Sequence, residues 1–178
     1  MKTCLVGCGG IAAVHGSVLT SGIDTEFVAA ADIKLEKAQS YAENFHTKPY
    51  PSLESMLEAE KPDVLHICTP HYLHVPMAIY SLERNINVFM EKPPAISFDQ
   101  LEELKKAAAK SDAQLGFCYQ NRYNASIRAA KDLIDSGKSG KVLGARAFVT
   151  WCRGAAYYTE SGWRGSLKTE GGGVLINQ

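Results

Sequence analysis

The chain has 178 residues, 46% of them apolar and 21% charged, with a formal net charge of zero; this is the composition of a globular domain that buries a real core. Without a block of like charges there is nothing to recommend nucleic acid or an acidic surface as a partner, and no apolar run approaches the roughly 18 residues of a membrane span. The N-terminus MKTCLVGCGG lacks the length and cleavage pattern of a signal peptide, and the five cysteines (Cys4, Cys8, Cys68, Cys118, Cys152) form no C-x-x-C, so the expectation is a cytoplasmic protein with reduced core cysteines, no metal site and no membrane partner.

Residues 3–6 predict a short strand that enters Gly7-Cys8-Gly9-Gly10-Ile11-Ala12, a match to G-x-G-x-x-A. Ile11, Val14, His15 and Val18 then follow at i, i+3, i+4 and i+7, the stripe of an amphipathic helix. Residues 26–32, EFVAAAD, read as the next strand and end in Asp32, 20 positions after Ala12. Strand, glycine turn, helix, strand and acid together make the setting of a dinucleotide site. Gly7 permits the tight turn, Gly9 lets backbone approach a pyrophosphate, and Ala12 lets the helix pack close on the strand. The helix N-terminus offers unpaired N–H groups and the positive end of its dipole. The bare glycine motif is also compatible with a tight turn that binds nothing. A methyltransferase uses a similar first turn and acid.

Residues 34–45 predict a second helix with Leu35, Ala38, Ala42 and Phe45 on one stripe. Pro49-Tyr50-Pro51 is a connector with a short extended piece, and Ser52 caps a short helix containing Leu53, Met56 and Leu57. VLHIC at 64–68 is a buried strand stopped by Thr69-Pro70, and a helix at about 73–84 turns Val75, Ala78, Ile79 and Leu82 inward. Next comes NVFMEKPPAI at 87–96, whose apolar run ends abruptly on Glu91-Lys92-Pro93. Pro93 favours an extended backbone at Lys92, and ligands of open α/β sheets sit beyond the carboxyl ends of the strands. The pair is therefore either a salt-bridged strand terminus or a working site. Ser97 to Gln100 is a capping box, with Ile96 and Leu101 as its staple, and the helix runs to about Lys110. Residues 115–119 are a sixth strand candidate.

This alternation predicts a doubly wound parallel α/β sheet over residues 1–120. From Asn121 the pattern changes. A helix at 124–136 with Ile127, Ala130, Leu133 and Ile134 apolar stops at Gly137, and residues 142–151 predict a longer strand. That strand lacks partners in this sequence, so the tail beyond Trp151 is expected to be poorly ordered or ordered by another molecule.

With these residues in place, the sequence resembles the Gfo/Idh/MocA oxidoreductases, named for glucose–fructose oxidoreductase and inositol dehydrogenase, along its whole length. The residues that carry the resemblance are Gly7 to Ala12, Thr69-Pro70 with His74, Glu91-Lys92-Pro93, Arg122-Tyr123, Ser136-Gly137 with Gly140, and Gly171-Gly172-Gly173. It disfavours a methyltransferase, which has no use for a strand-end lysine.

The resemblance implies a Rossmann domain at 1–120 and an incomplete α+β substrate and oligomerisation domain at 121–178. It also implies a sugar or polyol substrate and homo-oligomers formed through the second-domain sheet. Lys92 is implied as the catalytic residue that holds the hydroxyl losing its proton. Gly7, Cys8, Gly9, Gly10, Ile11, Ala12, Asp32, Thr69, Pro70, His74, Glu91 and Lys92 are implied around the cofactor. Asp32 on the ribose favours NAD, and Lys34 beside it leaves NADP open. Arg122, Tyr157, Trp163, Arg164 and Asn177, with Lys92, are implied around the substrate, where aromatic faces and arginine forks suit sugars and carboxylates. Glu91 orients the loop or the lysine. His74 is alternatively a helix-terminal residue bonded to backbone, His66 a core or helix-facing residue, and His71 stands where the family more often has Asn. Asn177 occupies a position where the family usually has Asp, and the family's histidine four positions later lies past Gln178. The chain therefore looks truncated, and is expected to bind cofactor without turning over. The rival readings are a dinucleotide-binding regulator without catalysis and an NAD-assisted glycosidase of the same fold.

Overall fold

The structure is a computed structural model and describes residues 1–22 and 24–177. Six strands, β1 (Lys2–Val6), β2 (Glu26–Ala31), β3 (Lys48–Tyr50), β4 (Val64–Ile67), β5 (Asn87–Glu91) and β6 (Leu115–Cys118), form one sheet in the order β3-β2-β1-β4-β5-β6. Every pairing is parallel. The chain winds outward from β1 to β3, then returns beside β1 as β4. The order reverses between β1 and β4, and the carboxyl ends of those strands flank the crevice where such sheets take ligands.

Period-two alternation assigns the two faces. Cys4, Val6, Ala29, Ala31, Leu65, Ile67, Val88 and Met90 join one core with α3 (Leu53–Glu60), α4 (His74–Leu82) and α5 (Phe98–Lys110). Leu5 and Ala30 point the other way, against Ala12 of α1 (Gly10–Leu19) and Tyr41 of α2 (Leu35–Phe45). His66 and Phe89 share that second face and meet His15 of α1. Ser52 accepts from the Ser55 N–H at the start of α3, and Ser97 from the Gln100 N–H at the start of α5, as their sequences require. At the opposite, amino-terminal edge of the sheet, buried Glu60 accepts from Tyr50 and Lys48 and faces Lys2. Those hydrogen bonds hold its carboxyl down at about 2. No described helix is long and apolar enough to cross a membrane.

The inward face of α1 departs from the expected stripe. Val14 and Val18 are 59% and 52% exposed, and Ile11 is exposed too, whereas Ala12, His15, Gly16 and Leu19 are buried. On α2, Leu35 is likewise exposed and Tyr41 buried. The cause is steric. The layer above the sheet is thin, and the Tyr41 hydroxyl reaches across it to donate to the Ala12 carbonyl at 2.7 Å. A Cβ on Gly16 would lie 2.5 Å from the Tyr41 hydroxyl and 2.7 Å from the Phe45 ring.

Contacts divide the chain into two units, one of residues 1–118 with the segment from Trp163 onward, the other of residues 119–162. The sequence pattern instead places everything from 121 onward in one domain. The segment from Trp163 packs on the first unit, through α8 (Leu167–Glu170) and α9 (Val174–Asn177). The second unit contains α6 (Ala125–Asp135) and α7 (Ala155–Thr159). The strand expected at 142–151 is not formed: these residues carry no helix or strand, and Leu143 and Phe148 are 91% and 87% exposed. β-prone residues become a strand only where a neighbour completes the ladder, and none in the described part of this unit does so. The sheet through which self-association was expected is not present in this unit either.

In an ordinary helix interior, Gly to Ala stabilises by up to about 1 kcal/mol. At Gly16 the sign reverses: Gly16→Ala is expected to destabilise by about 1–3 kcal/mol, read as a lower urea midpoint at an unchanged m-value.

Candidate active site

The glycine turn is built by backbone constraints. Gly7 has φ +92°, and a Cβ there would lie 2.8 Å from the Cys68 carbonyl and the Thr69 nitrogen, so only glycine fits. Its N–H donates to the Ala31 carbonyl at 2.8 Å, locking the end of β1 to that of β2. Asp32 then clamps the turn. One carboxylate oxygen accepts from the Cys8 N–H and the other from the Lys34 N–H, both at 2.9 Å. Burial and the neighbouring Asp32 push the Cys8 thiol up to about 12, so it is no nucleophile at neutral pH.

Gly9 is the N-cap of α1, and no side chain caps that end. The first N–H groups of a helix have no partner within it. A Cβ built on Gly9 or Gly10 meets nothing within 4 Å, so the space before those N–H groups is open. Thr69 Oγ1, at the end of β4, is buried without a hydrogen-bond partner in the structure. An uncapped helix start, glycine clearance, a carboxylate at the end of β2 and an unpaired hydroxyl suit the pyrophosphate and ribose of a dinucleotide.

His74 lies deep in the fold. Its ring is fully buried, with Nδ1 2.8 Å from the Pro93 carbonyl and Nε2 2.9 Å from the Thr69 carbonyl. A neutral imidazole donates from one nitrogen only, and burial lowers the His74 pKa. The ring sits between the end of β4 and the loop after β5 and donates to one of those two carbonyls, the backbone-bonded alternative that the sequence left open.

Glu91, buried at the end of β5, faces His15 Nε2 at 3.0 Å, and His15 Nδ1 faces His66 Nδ1 at 2.9 Å. Burial pushes the Glu91 carboxyl up, but hydrogen bonds from His15 and Cys118 and the nearby charge of Lys92 outweigh it, and the net shift is down. Burial, with His15 opposite, holds His66 near 4. Uncharged at neutral pH, His66 thus bonds to His15, and His15 to the carboxylate. Glu91, 6% exposed, fastens β5 to α1. Ligand atoms of His15, Glu91 and Cys118 all fall within 4.8 Å of one another, a grouping that sequence spacing had not suggested. Their mutual hydrogen bonds already satisfy them.

The Lys92 amine donates to the Asn177 carbonyl and, at 3.0 Å, to Asn177 Oδ1. Asn177 Nδ2 donates to Glu170 Oε1 at 2.7 Å, and the Gly165 N–H to Glu170 Oε2 at 2.6 Å. Arg164 Nη1 stands 3.6 Å from Glu170 and its guanidinium lies over the Trp163 ring. His71 is buried beneath, bonded to the Glu170 carbonyl at 2.9 Å and edge-on to Trp163. Lys92 is thus linked to Asn177, Asn177 to Glu170, and Glu170 to Arg164, which lies over Trp163, and the tail that was expected to lack order is tied in by these contacts. Arg122 and Tyr157 belong to the second unit, where the Arg153 guanidinium lies over both Tyr157 and Trp151. The sequence reading missed His15 as a partner of Glu91, and it missed Glu170 altogether. Only the polar residue in the apolar stripe of α1 had signalled the first.

Comparison with known proteins agrees with this geometry. A family profile described as an oxidoreductase family with an NAD-binding Rossmann fold, GFO_IDH_MocA, matches residues 1–119. The chain belongs to the Gfo/Idh/MocA oxidoreductase family. It is 29% identical over 181 residues to D-glucoside 3-dehydrogenase of Escherichia coli (strain K12), covering 99% of this chain and 50% of that protein. It superposes on the WlbA dehydrogenase of Bordetella pertussis, solved in complex with NADH and UDP-GlcNAcA, with a TM-score of 0.90, 31% identity and coverage of 99% of this chain and 54% of the other. The myo-inositol dehydrogenase of Lactobacillus casei, in complex with NAD(H) and myo-inositol, matches with a TM-score of 0.72 and 26% identity over 77% of this chain and 42% of its own. The chain thus spans about half the length of these relatives.

Burial holds both His66 and His71 near 4 in the folded chain, whereas unfolded histidine titrates near 6.5. Between those values the unfolded chain binds more protons, so stability is present above about pH 6.5 and is lost as pH falls toward 4. Urea midpoints are expected to drop steadily from pH 7 to pH 5. In His66→Gln the slope is expected to shrink by up to about one proton.

Proposed function

We propose that this chain binds NAD(H) at the Gly7–Ala12 turn and supplies Lys92 to the oxidation of a hydroxyl on a sugar, polyol or sugar derivative. The observation that carries the reading is that the uncapped start of α1 and the Lys92 amine stand at the same carboxyl edge of one sheet, joined by the His15–Glu91 bond. The names of the relatives, a glucoside dehydrogenase, an inositol dehydrogenase and a dehydrogenase with a sugar nucleotide, support a hydroxylated ring as the substrate class. When bound, NAD supplies the hydride acceptor. The α1 N–H groups and Gly9 hold its pyrophosphate, and Asp32 accepts from the adenosine ribose, where a 2′-phosphate would meet a carboxylate. Lys92 holds the substrate hydroxyl and takes its proton, a task that suits an amine whose pKa responds to burial. Trp163 and Arg164 present a ring face and a guanidinium to the substrate. Turnover belongs to a protein of the relatives' length, and the 178-residue chain binds cofactor without it.

Two experiments check this. In Gly9→Val the branched side chain fills the open space before α1, and NADH affinity, measured by fluorescence titration, is expected to fall at least tenfold, about 1.4 kcal/mol. Asp32→Ala is expected to narrow the preference for NADH over NADPH, and unchanged affinities in both variants would refute the site. In a protein of the relatives' length, Lys92→Met is expected to lower kcat by about 10²–10⁴-fold while NADH still binds. Near-normal turnover in that variant would return Lys92 to a structural role. NADH binding by the wild-type protein of the relatives' length with no turnover on any sugar or polyol would favour the regulator.

A further inference from the structure

Glu170 is a carboxylate 4% exposed, and Asn177, 6% exposed, lies between it and Lys92. The orientation of the Asn177 amide is forced from both sides. An ammonium only donates and an ionised carboxylate only accepts, so Oδ1 must face Lys92 and Nδ2 must face Glu170. The other Glu170 oxygen is held by the Gly165 N–H, and the Arg164 guanidinium stands beside the first. We propose that Glu170 is a positioning residue for Lys92: it fixes the Asn177 amide so that its oxygen faces the amine, and it supplies from one residue further away the negative charge that an aspartate in place of Asn177 would carry. The sequence resemblance expects that aspartate. The geometry explains why Asn stands there, because two buried carboxylates 2.7 Å apart cannot both ionise. The inference deepens the reading of Lys92 as the reacting amine and rests on it for its catalytic meaning; the contacts themselves do not depend on that reading. Among the described residues, the other ionisable groups around the pair include Arg164 beside Glu170, His71, which bonds the Glu170 carbonyl, and Glu91 and His74, which lie near Lys92.

The arrangement makes a charge-swap prediction. Asn177→Asp sets a carboxylate against Glu170. Glu170→Gln sets an amide against a site that offers it two donors, Asn177 Nδ2 and the Gly165 N–H, so one of them loses its acceptor. The double variant, Glu170→Gln with Asn177→Asp, satisfies every group. Its introduced amide accepts from the Gly165 N–H and donates to the introduced carboxylate, and that carboxylate faces Lys92. In the 178-residue chain at pH 8, each single variant is expected to melt several degrees below wild type, and the double variant to recover most of that loss. The Lys92 pKa, followed by NMR of the ε-carbon in lysine-labelled protein, is expected to fall by about one unit in Glu170→Gln and to return to or exceed the wild-type value in the double variant. If Asn177→Asp does not fold, recovery of a folded double variant supports the proposal equally. It is overturned if Lys92 titrates identically in wild type and Glu170→Gln, or if the double variant is no more stable than Asn177→Asp. NADH titration of wild type runs alongside: failure to bind would defeat the dinucleotide reading and leave these two comparisons intact.

Discussion

A carboxylate buried at the end of a core strand requires a partner, and in this protein the partner comes from the nucleotide helix. Glu91 terminates β5 one residue before Lys92, and His15 reaches it from α1 at 3.0 Å. Removing the hydrogen-bond partner of a buried carboxylate leaves that group unsatisfied, at a cost of about 1–3 kcal/mol or more. The helix whose first N–H groups open the glycine turn and the strand that delivers the amine are thereby held as one piece. His66, uncharged at neutral pH, closes the chain behind His15. His74 fills the corresponding place on the other side, packed between Thr69 and the loop after Lys92. Three buried side chains and the half-buried His66 thus set the positions of the glycine turn and of Lys92.

The same constraint accounts for the small residues around α1. For His15 to reach Glu91, the helix must lie low over the sheet. Ala12 and Ala30 meet where α1 crosses the strands, Gly16 leaves room for Tyr41 and Phe45 of α2, and the Tyr41 hydroxyl fastens α2 to the Ala12 carbonyl. Larger side chains would lift the helix and carry its N-terminal N–H groups away from the mouth of the crevice. Packing density and ligand geometry are one requirement here, expressed at three positions.

The sheet was legible because its signals are local. Alternation within β1, β4 and β5, the glycine fingerprint and the serine caps each lie within a few residues, and all agree. The face of α1 was misread for a physical reason: hydropathy ranks Ile11, Val14 and Val18 highest, while close approach selects Ala12 and Gly16. The strand at 142–151 was misread because β-propensity describes fit to a sheet, and those residues have no neighbouring strand among the described residues. Lys92 was visible as a charge at an abrupt strand end. Its surroundings were not, since the contact with Asn177 joins positions 85 apart and Glu170 enters only through that contact.

Among the described residues, two carboxylates stand near Lys92, and each is directed to another residue: Glu91 to His15, and Glu170 to Asn177. Glu170 reaches the amine through the Asn177 amide, whose oxygen accepts from it while its nitrogen donates to the carboxylate. A buried carboxylate needs hydrogen-bond donors, and at this strand end those donors belong to residues that themselves contact the helix and the tail, so the polar groups are linked in chains instead of paired singly.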